Sequence, residues 1–421
     1  MSDLLHLGFL LWCAAGIAAA IVTLPGTIEL LTLSLASLLP ERKPKPQSLA
    51  TETTPWRTAI VIPAHNEELS IAACVRTLLA AAIPGTAVYV IADNCTDSTA
   101  EVARAAGATV LERNNLTRRG KGYALDYAFN TLANLGPNLA PDCVIVVDAD
   151  TQVAPNFISA ASAALRGGAA AVQSRYLVAN PEQNTRTRLM ALALRAFNVV
   201  RPLGRERLGL SAGIFGNGFG LRRETLSRVP YTAASVVEDL EYHLNLVRAG
   251  LRVVFLNQTT VFGEMPTGAQ ASKTQRSRWE GGRLRMAVEH APALALEILS
   301  FRFTCLEPLL ELLLLPLAFH VLLLLVAAST PLAPVRIIGL AGLGVVLVHL
   351  LAAIAANRGA ASEGATNLAG GSVSSDLAAL ASAPFYVLWK LLLIPTLLRS
   401  SRRSNDWVRT ARNAEAPTPD K

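Results

Sequence analysis

The apolar residues of this chain are segregated, and that segregation limits its fold more than any motif does. Residues 4–39 are apolar apart from His6 and Glu29, with Pro25 and Gly26 midway. About 20 apolar residues span a bilayer, so the run supplies one crossing and leaves a second open. No basic segment precedes it, while Glu41, Arg42, Lys43 and Lys45 follow. That pattern predicts an uncleaved anchor, not a signal peptide, with its C-terminal end in the cytoplasm. Apolar runs come back at 301–329, predicted to cross outward, and at 335–357, predicted to return. A last run, 376–398, carries Pro384, Lys390 and Pro395 and leads into Arg399, Arg402, Arg403, Arg409 and Arg412. A crossing there would put those arginines outside, against the positive-inside rule. The run reads as an interfacial or re-entrant helix on the cytoplasmic face, with a further crossing as the alternative.

Only between about Thr58 and Glu289 does the sequence alternate like a globular domain. The expected organisation is a transmembrane anchor (1–40), a basic linker (41–57), a globular domain (58–290), a C-terminal membrane region (301–398) and a basic tail (399–421). With 52% hydrophobic and 16% charged residues, the chain is too apolar for an ordinary soluble enzyme. Its net charge of +7 does not signal nucleic acid, because many arginines flank apolar segments. A lipid bilayer is the expected partner, and nucleic acid is not. The five cysteines, Cys13, Cys74, Cys95, Cys143 and Cys305, show no CxxC spacing. No zinc site or disulfide framework follows, which fits a reducing compartment.

In the middle, TAIVIP (58–63), AVYVIAD (87–93), ATVLER (108–113) and CVIVVDAD (143–150) read as buried strands. Between them LSIAACVRTLLAAA (69–82), DSTAEVARAAG (97–107) and KGYALDYAFNTLANLG (121–136) read as helices. Repeated βα units with continuously apolar strands predict an α/β fold, a mostly parallel sheet covered by helices. Ligands of such sheets bind beyond the carboxyl ends of the strands. Pro63-Ala64-His65-Asn66-Glu67, Asp93 and the pair Asp148/Asp150 all fall there.

Two carboxylates one residue apart repel each other unless a cation lies between them. On an extended chain Asp148 and Asp150 can approach one divalent ion, one directly and one through water. Mg²⁺ and Mn²⁺ take oxygen ligands and keep a phosphate oxygen as partner, so a metal there would neutralise a pyrophosphate leaving group. A solvated turn after a strand is the plain alternative. The haloacid dehalogenase nucleophile, DxDx followed by Thr or Val, is a rival that Gln152 does not fit.

Further pieces are individually ambiguous. Glu238 and Asp239 open a helix predicted over 237–250, where acids can simply complement the helix dipole. In TQRSRWEGGR (274–283) a helix would place Gln275, Arg278 and Trp279 on one face. That face suits a phosphorylated sugar, or else belongs to a solvated basic helix capped by Gly281-Gly282. Lys121 stands between glycines at a helix start, where anions bind readily, without a Walker loop or a GxGxxG. GIFGNGFGLRRE (213–224) has glycines that permit close backbone approach to a bulky ligand, or a flexible loop.

Their order along the chain is specific. An apolar strand ending in Asn66-Glu67, then Asp93, the Gly-Lys-Gly helix, DxD, Glu-Asp and QxxRW resembles the family 2 glycosyltransferases over roughly residues 58–285. More narrowly it resembles their membrane-embedded branch, which includes cellulose, chitin, hyaluronan and poly-N-acetylglucosamine synthases. The resemblance implies a GT-A fold, a nucleotide-diphospho-sugar donor (usually a UDP-sugar) and inversion at the anomeric carbon. It also implies that Asp93 contacts the uridine with Glu67 nearby, and that Lys121 and Asp148 bind the donor. Asp148 and Asp150 would hold the diphosphate with Mg²⁺ or Mn²⁺, and Asp239 would deprotonate the acceptor hydroxyl. Glu238, Gln275, Arg278 and Trp279 would hold acceptor sugar and diphosphate. Val237 stands where the family has Thr, so a hydroxyl contact is lost. The acceptor would be a polysaccharide or a lipid-linked glycan at the cytoplasmic face of the cell membrane. So few crossings leave room for a homo-oligomer or an accessory export subunit. The alternative is a non-catalytic glycan- or nucleotide-sugar-binding partner of a synthase; intact Asp148, Asp150, Asp239 and Arg278 argue against it.

Overall fold

The computed structural model describes residues 2–40, 56–136, 138–232, 235–356 and 373–391. Its strands are β1 (Thr58–Ala64), β2 (Thr86–Asp93), β3 (Thr109–Arg113), β4 (Cys143–Val146), β5 (Thr151–Val153), β6 (Ala171–Val178), β7 (Phe219–Arg222) and β8 (Val253–Gly263). They form one sheet in the order β3-β2-β1-β4-β7-β6-β8-β5. The half built from β1 to β4 is parallel, as the βα repeats predict. In the other half β7 runs antiparallel to β4 and β6, and β5 antiparallel to β8, while β6 and β8 are parallel.

Successive residues of a strand face opposite sides of a sheet, and here both sides are apolar. Ala59 and Val61 of β1 pack with Ala124, Leu125 and Ala128 of the helix Lys121–Ala133. Ile60 and Ile62 pack with Ile71, Val75 and Leu78 of the helix Ile71–Ala80. Continuous apolar strands follow because neither face meets water.

Three local expectations are corrected. The strand predicted over 143–150 stops at Val146. Beyond it the Thr151 N–H donates to the Asp148 carbonyl at 3.1 Å, and the Asp148 N–H leaves the ladder for the Asn217 side chain. The two aspartates therefore sit in a turn, not on extended strand. Secondly, the helix carrying Gln275 and Arg278 runs unbroken from Ala269 to Leu299, through Gly281 and Gly282. Gly282 is a packing position there: a Cβ would lie 2.7 Å from Val237 Cγ1. Thirdly, the run 301–329 is not one straight crossing. Phe303–Leu313 and Leu317–Ser329 meet at a bend of 82°. Pro316 lacks an amide N–H and disfavours helical geometry at the residue before it.

The N-terminal run is a single helix, Ser2–Ser37, that continues through Pro25. At 1.5 Å per residue it is about 54 Å long, against about 30 Å of hydrocarbon, so no second span fits in it. Helices Asp3–Ser37 and Ala333–Ala355 are long and apolar enough to cross a membrane. The 376–398 run is broken at Ser382, between helices Val373–Ala381 and Ala383–Leu391. Residues 392–398, the basic tail 399–421 and residues 41–55 of the basic linker lie outside the described residues.

Glu29, the exceptional acid of the anchor, has a structural explanation. Its carboxylate accepts from Arg201 at 2.5 Å and from Arg205 at 3.2 Å, both on the helix Arg201–Leu208. Arg205 also lies 3.2 Å from Glu311 and is paired with Glu307. Gly204 lets the helices touch, since a Cβ there would sit 2.3 Å from the Leu33 carbonyl oxygen. Buried charges persist only when paired, so this cluster ties the anchor to the globular part.

Candidate active site

Just beyond β1 and β2 stands an asparagine in the left-handed region, Asn66 at φ 55° and Asn94 at φ 51°. Asparagine tolerates that conformation because its short amide can bond locally. Asn66 Oδ1 accepts from the Thr96 N–H at 2.8 Å, and Asn94 Oδ1 from the Asn115 N–H at 2.7 Å. The acids beside them, Glu67 and Asp93, line one cavity. The Glu67 N–H donates to Thr99 Oγ1 at 2.7 Å and its carboxylate accepts from Ser70 Oγ at 2.9 Å. Asp93 accepts from Arg113 Nη1 at 2.5 Å and from Asn94 Nδ2 at 3.0 Å. Burial lifts the Asp93 pKa above its ordinary value, with Arg113 pulling it part of the way back.

The aspartate turn is held from beneath by Asn217, which is fully buried. Its Oδ1 accepts from the Asp148 N–H at 3.1 Å while its Nδ2 donates to Thr151 Oγ1 at 2.8 Å. One side chain thus spans the turn containing both acids. Asn217 is placed by Gly216 and Gly218, at φ 76° and 70°. Neither accepts a side chain cheaply. A Cβ on Gly218 would lie 2.4 Å from Ser174 Oγ, and one on Gly216 would lie 3.2 Å from Asp239 Oδ2. The glycine-rich stretch is therefore a cradle for the acids and not a flexible loop. Sequence reasoning missed Asn217 and Arg113; the Gly-Asn-Gly triplet was the available signal for the first.

Asn217→Ala leaves the Asp148 N–H and Thr151 hydroxyl without their shared partner in a buried site, a loss of about 1–3 kcal/mol for each unsatisfied group. We expect a lower thermal midpoint and, from misplacement of the acids, a rate loss of about 100-fold. Initial rates and thermal melts check this; wild-type values for both would remove Asn217 from the support of the turn.

Lys121, at the start of its helix, bonds Asp148 Oδ1 and donates to the Gly216 carbonyl at 2.6 Å. Burial acts to lower its pKa, but Asp148, Glu238 and Asp239 outweigh that and leave it above the ordinary value. Lys121 is thus the cation set among the acids of two motifs. Glu238 and Asp239 begin the helix Glu238–Arg248, and Asp239 Oδ1 accepts from the Leu240 N–H at 2.8 Å. Burial and repulsion from Asp239 push the Glu238 pKa up to about 8. Burial also raises Asp239, opposed by the Leu240 N–H and by Lys121.

On the long helix, Gln275 is buried and its Oε1 has no hydrogen-bond partner among the described residues. Trp279 packs against Val178, Met190 and Met265. Glu67, Asp93, Lys121, Asp148, Asp150, Glu238, Asp239, Gln275, Arg278 and Trp279 all line one cavity of about 1320 Å³. Among the described residues no cluster of three or more His, Cys, Asp or Glu side chains is arranged to hold a metal ion. Asp148 and Asp150 are the two rim carboxylates that share one turn.

This sheet, with its acidic rim at the strand ends, is the GT-A architecture of nucleotide-sugar-dependent transferases. Residues 55–282, over half of the chain, match the family model described as glycosyltransferase like family 2, and the chain belongs to that family. It is 35% identical over 95 residues to Protein RfbJ of Shigella flexneri, covering 23% of this chain and 65% of that protein. It is 28% identical over 146 residues to a probable glucomannan 4-beta-mannosyltransferase 1 of Arabidopsis thaliana, covering 34% of this chain and 26% of that protein. The match spans less than two thirds of the length of either relative. Among solved structures, the mannosyltransferase PcManGT from Pyrobaculum calidifontis, in complex with GDP-Man and Mn²⁺, shares the fold. Its TM-score is 0.51 at 17% identity, covering 92% of this chain and 97% of that one.

Proposed function

We propose that this protein is an inverting membrane glycosyltransferase that moves a sugar from a nucleotide-diphospho-sugar to an acceptor at the cytoplasmic membrane face. The observation that carries the reading is the convergence, in one cavity, of the Asp148/Asp150 turn, Lys121 and the buried Glu238-Asp239 pair. Asp93, braced by Arg113, and Glu67 lie on the side of the nucleoside, and Lys121 faces the diphosphate. Asp239 takes the proton from the acceptor hydroxyl as that oxygen attacks the anomeric carbon opposite the leaving group. Burial raises its pKa, which strengthens it as a proton acceptor once ionised. Glu238, Gln275, Arg278 and Trp279 hold the acceptor sugar and the diphosphate. The partnerless oxygen of Gln275 is an acceptor awaiting a donor, which a sugar hydroxyl would supply.

The donor set fits Mg²⁺ or Mn²⁺. Among the described residues no group of three or more such ligands is arranged for a metal, so two carboxylates would leave coordination positions to phosphate oxygens and water, as such cations require. A bound cation would neutralise charge on the departing nucleoside diphosphate. The helices Asp3–Ser37 and Ala333–Ala355 fit a multi-pass cell-membrane protein with the site on the cytoplasmic side. Relatives named as mannosyltransferases make GDP-mannose a donor to test beside UDP-sugars.

The test is a panel of UDP- and GDP-sugars incubated with the full-length protein in membranes and Mn²⁺. One donor should release its nucleoside diphosphate together with transferred sugar. No release and no nucleotide binding across the whole panel would sink the reading in favour of a non-catalytic partner.

A further inference from the structure

The cavity does not end at the catalytic rim. At about 1320 Å³ it exceeds the roughly 300–1,000 Å³ of ordinary small-molecule sites. Its extension is walled by Leu30 of the anchor, Leu314 and Leu315 of the bend, Val321 and Leu325 of Leu317–Ser329, and Leu347 of Ala333–Ala355. Helices Val373–Ala381 and Ala383–Leu391 add a further wall. Between 314 and 350 every lining side chain is aliphatic except Pro316 and His349, and His349 Nδ1 is already engaged at 2.8 Å with Ser34 Oγ.

That chemistry does not suit a sugar chain. Each hydroxyl moved from water to an aliphatic wall without a partner costs roughly 1–3 kcal/mol by protein mutational data. Leu317–Ser329 and Ala333–Ala355 are packed against each other where they wall the arm. A Cβ on Gly339 would lie 2.4 Å from the Ala328 nitrogen, and one on Gly342 would lie 2.4 Å from Leu324 Cδ2, so the two helices are in contact. Arg201, Arg283 and Glu311 are charged residues of the same wall; the two arginines stack on one ring. They lie 4.5 and 5.0 Å from the Phe197 ring centroid, and Arg283 is one turn beyond Trp279.

We propose that the acceptor is a long-chain amphiphile, with its nucleophilic oxygen at Asp239 and its hydrocarbon chain in this aliphatic arm, not the end of a growing polysaccharide. The proposal rests on the transferase reading above. In the step it implies for a hydroxyl acceptor, the O–H proton passes to the Asp239 carboxylate and the acceptor oxygen bonds to the anomeric carbon; a phosphate acceptor attacks with an oxygen that is already ionised. The bond from that carbon to the diphosphate oxygen breaks, and the nucleoside diphosphate leaves with the electron pair.

The experiment uses the full-length protein in lipid vesicles, the active donor, and dodecyl phosphate and dodecyl glucoside beside their butyl homologues. Burial is worth about 0.8 kcal/mol per methylene, so a dodecyl acceptor of either head group should show kcat/KM at least about 10-fold above its butyl homologue. Its product should extract into organic solvent. Because long chains also concentrate in vesicles, the arm itself is narrowed with Leu347→Trp and, separately, Leu325→Trp, both half-exposed positions. Each should raise KM for the dodecyl acceptor about 10-fold while donor KM and butyl transfer stay unchanged. Equal use of both chain lengths, a solvent-insoluble polymer as the product, or equal losses for both chain lengths in the Trp variants would each overturn the proposal. Failure to release nucleoside diphosphate with any acceptor would instead defeat the transferase reading, and this inference with it.

Discussion

Replacing Asp239 by asparagine should lower sugar transfer by about 10²- to 10⁴-fold, the usual contribution of a general base, while nucleotide binding survives. The amide is nearly isosteric, and the Leu240 N–H that Asp239 Oδ1 accepts at 2.8 Å can still be accepted by the amide oxygen. Nucleoside diphosphate affinity and initial rate, measured on one preparation, separate the two effects. Near-normal transfer would hand the role to Glu238; lost nucleotide binding would make Asp239 a structural residue. The pH profile gives an independent reading. Burial raises both acids above their ordinary values, and repulsion from Asp239 adds to it for Glu238, which lies at about 8. The base acts when ionised, so the rate should rise with pH through an apparent pKa above the ordinary carboxylate value. Glu238→Gln removes the coupled acid, so the acid limb of that variant reports Asp239 alone. An unmoved limb would uncouple the two residues.

Asp150→Asn should reduce the rate by about 100-fold or more, because a divalent cation on a leaving diphosphate is worth several kcal/mol. Asp148 is bonded to Lys121 and its backbone to Asn217, so replacing it disturbs more than a cation site. EDTA should abolish wild-type transfer and added Mn²⁺ or Mg²⁺ restore it, and Asp150→Asn should need more metal for half-maximal rate. Full activity in EDTA would take the cation out of the reaction.

Much of the site was legible because its residues stand at strand ends and helix starts, which local periodicity locates. Asp93 ends β2, Lys121 opens its helix, and Glu238-Asp239 open theirs. The parallel half of the sheet was legible for the same reason, since strands buried on both faces read as continuous apolar runs. The antiparallel half was not anticipated. Pairing such as β7 between β4 and β6 joins segments far apart in the chain and leaves no periodic mark of its own.

By itself the sequence determined which segments are long and apolar enough to span a membrane, the βα order of the parallel half, and which polar side chains reach the rim, because burial and strand or helix period are written locally. Only the tertiary structure decided that Asn217 spans the aspartate turn and that Arg113 braces Asp93. It alone paired Glu29 with Arg201 and Arg205, carried the long helix through Gly281-Gly282, and joined the rim to an aliphatic arm. Each of those depends on partners tens to hundreds of residues apart, and a buried polar group is satisfied by whatever the fold brings beside it, not by its neighbours in sequence.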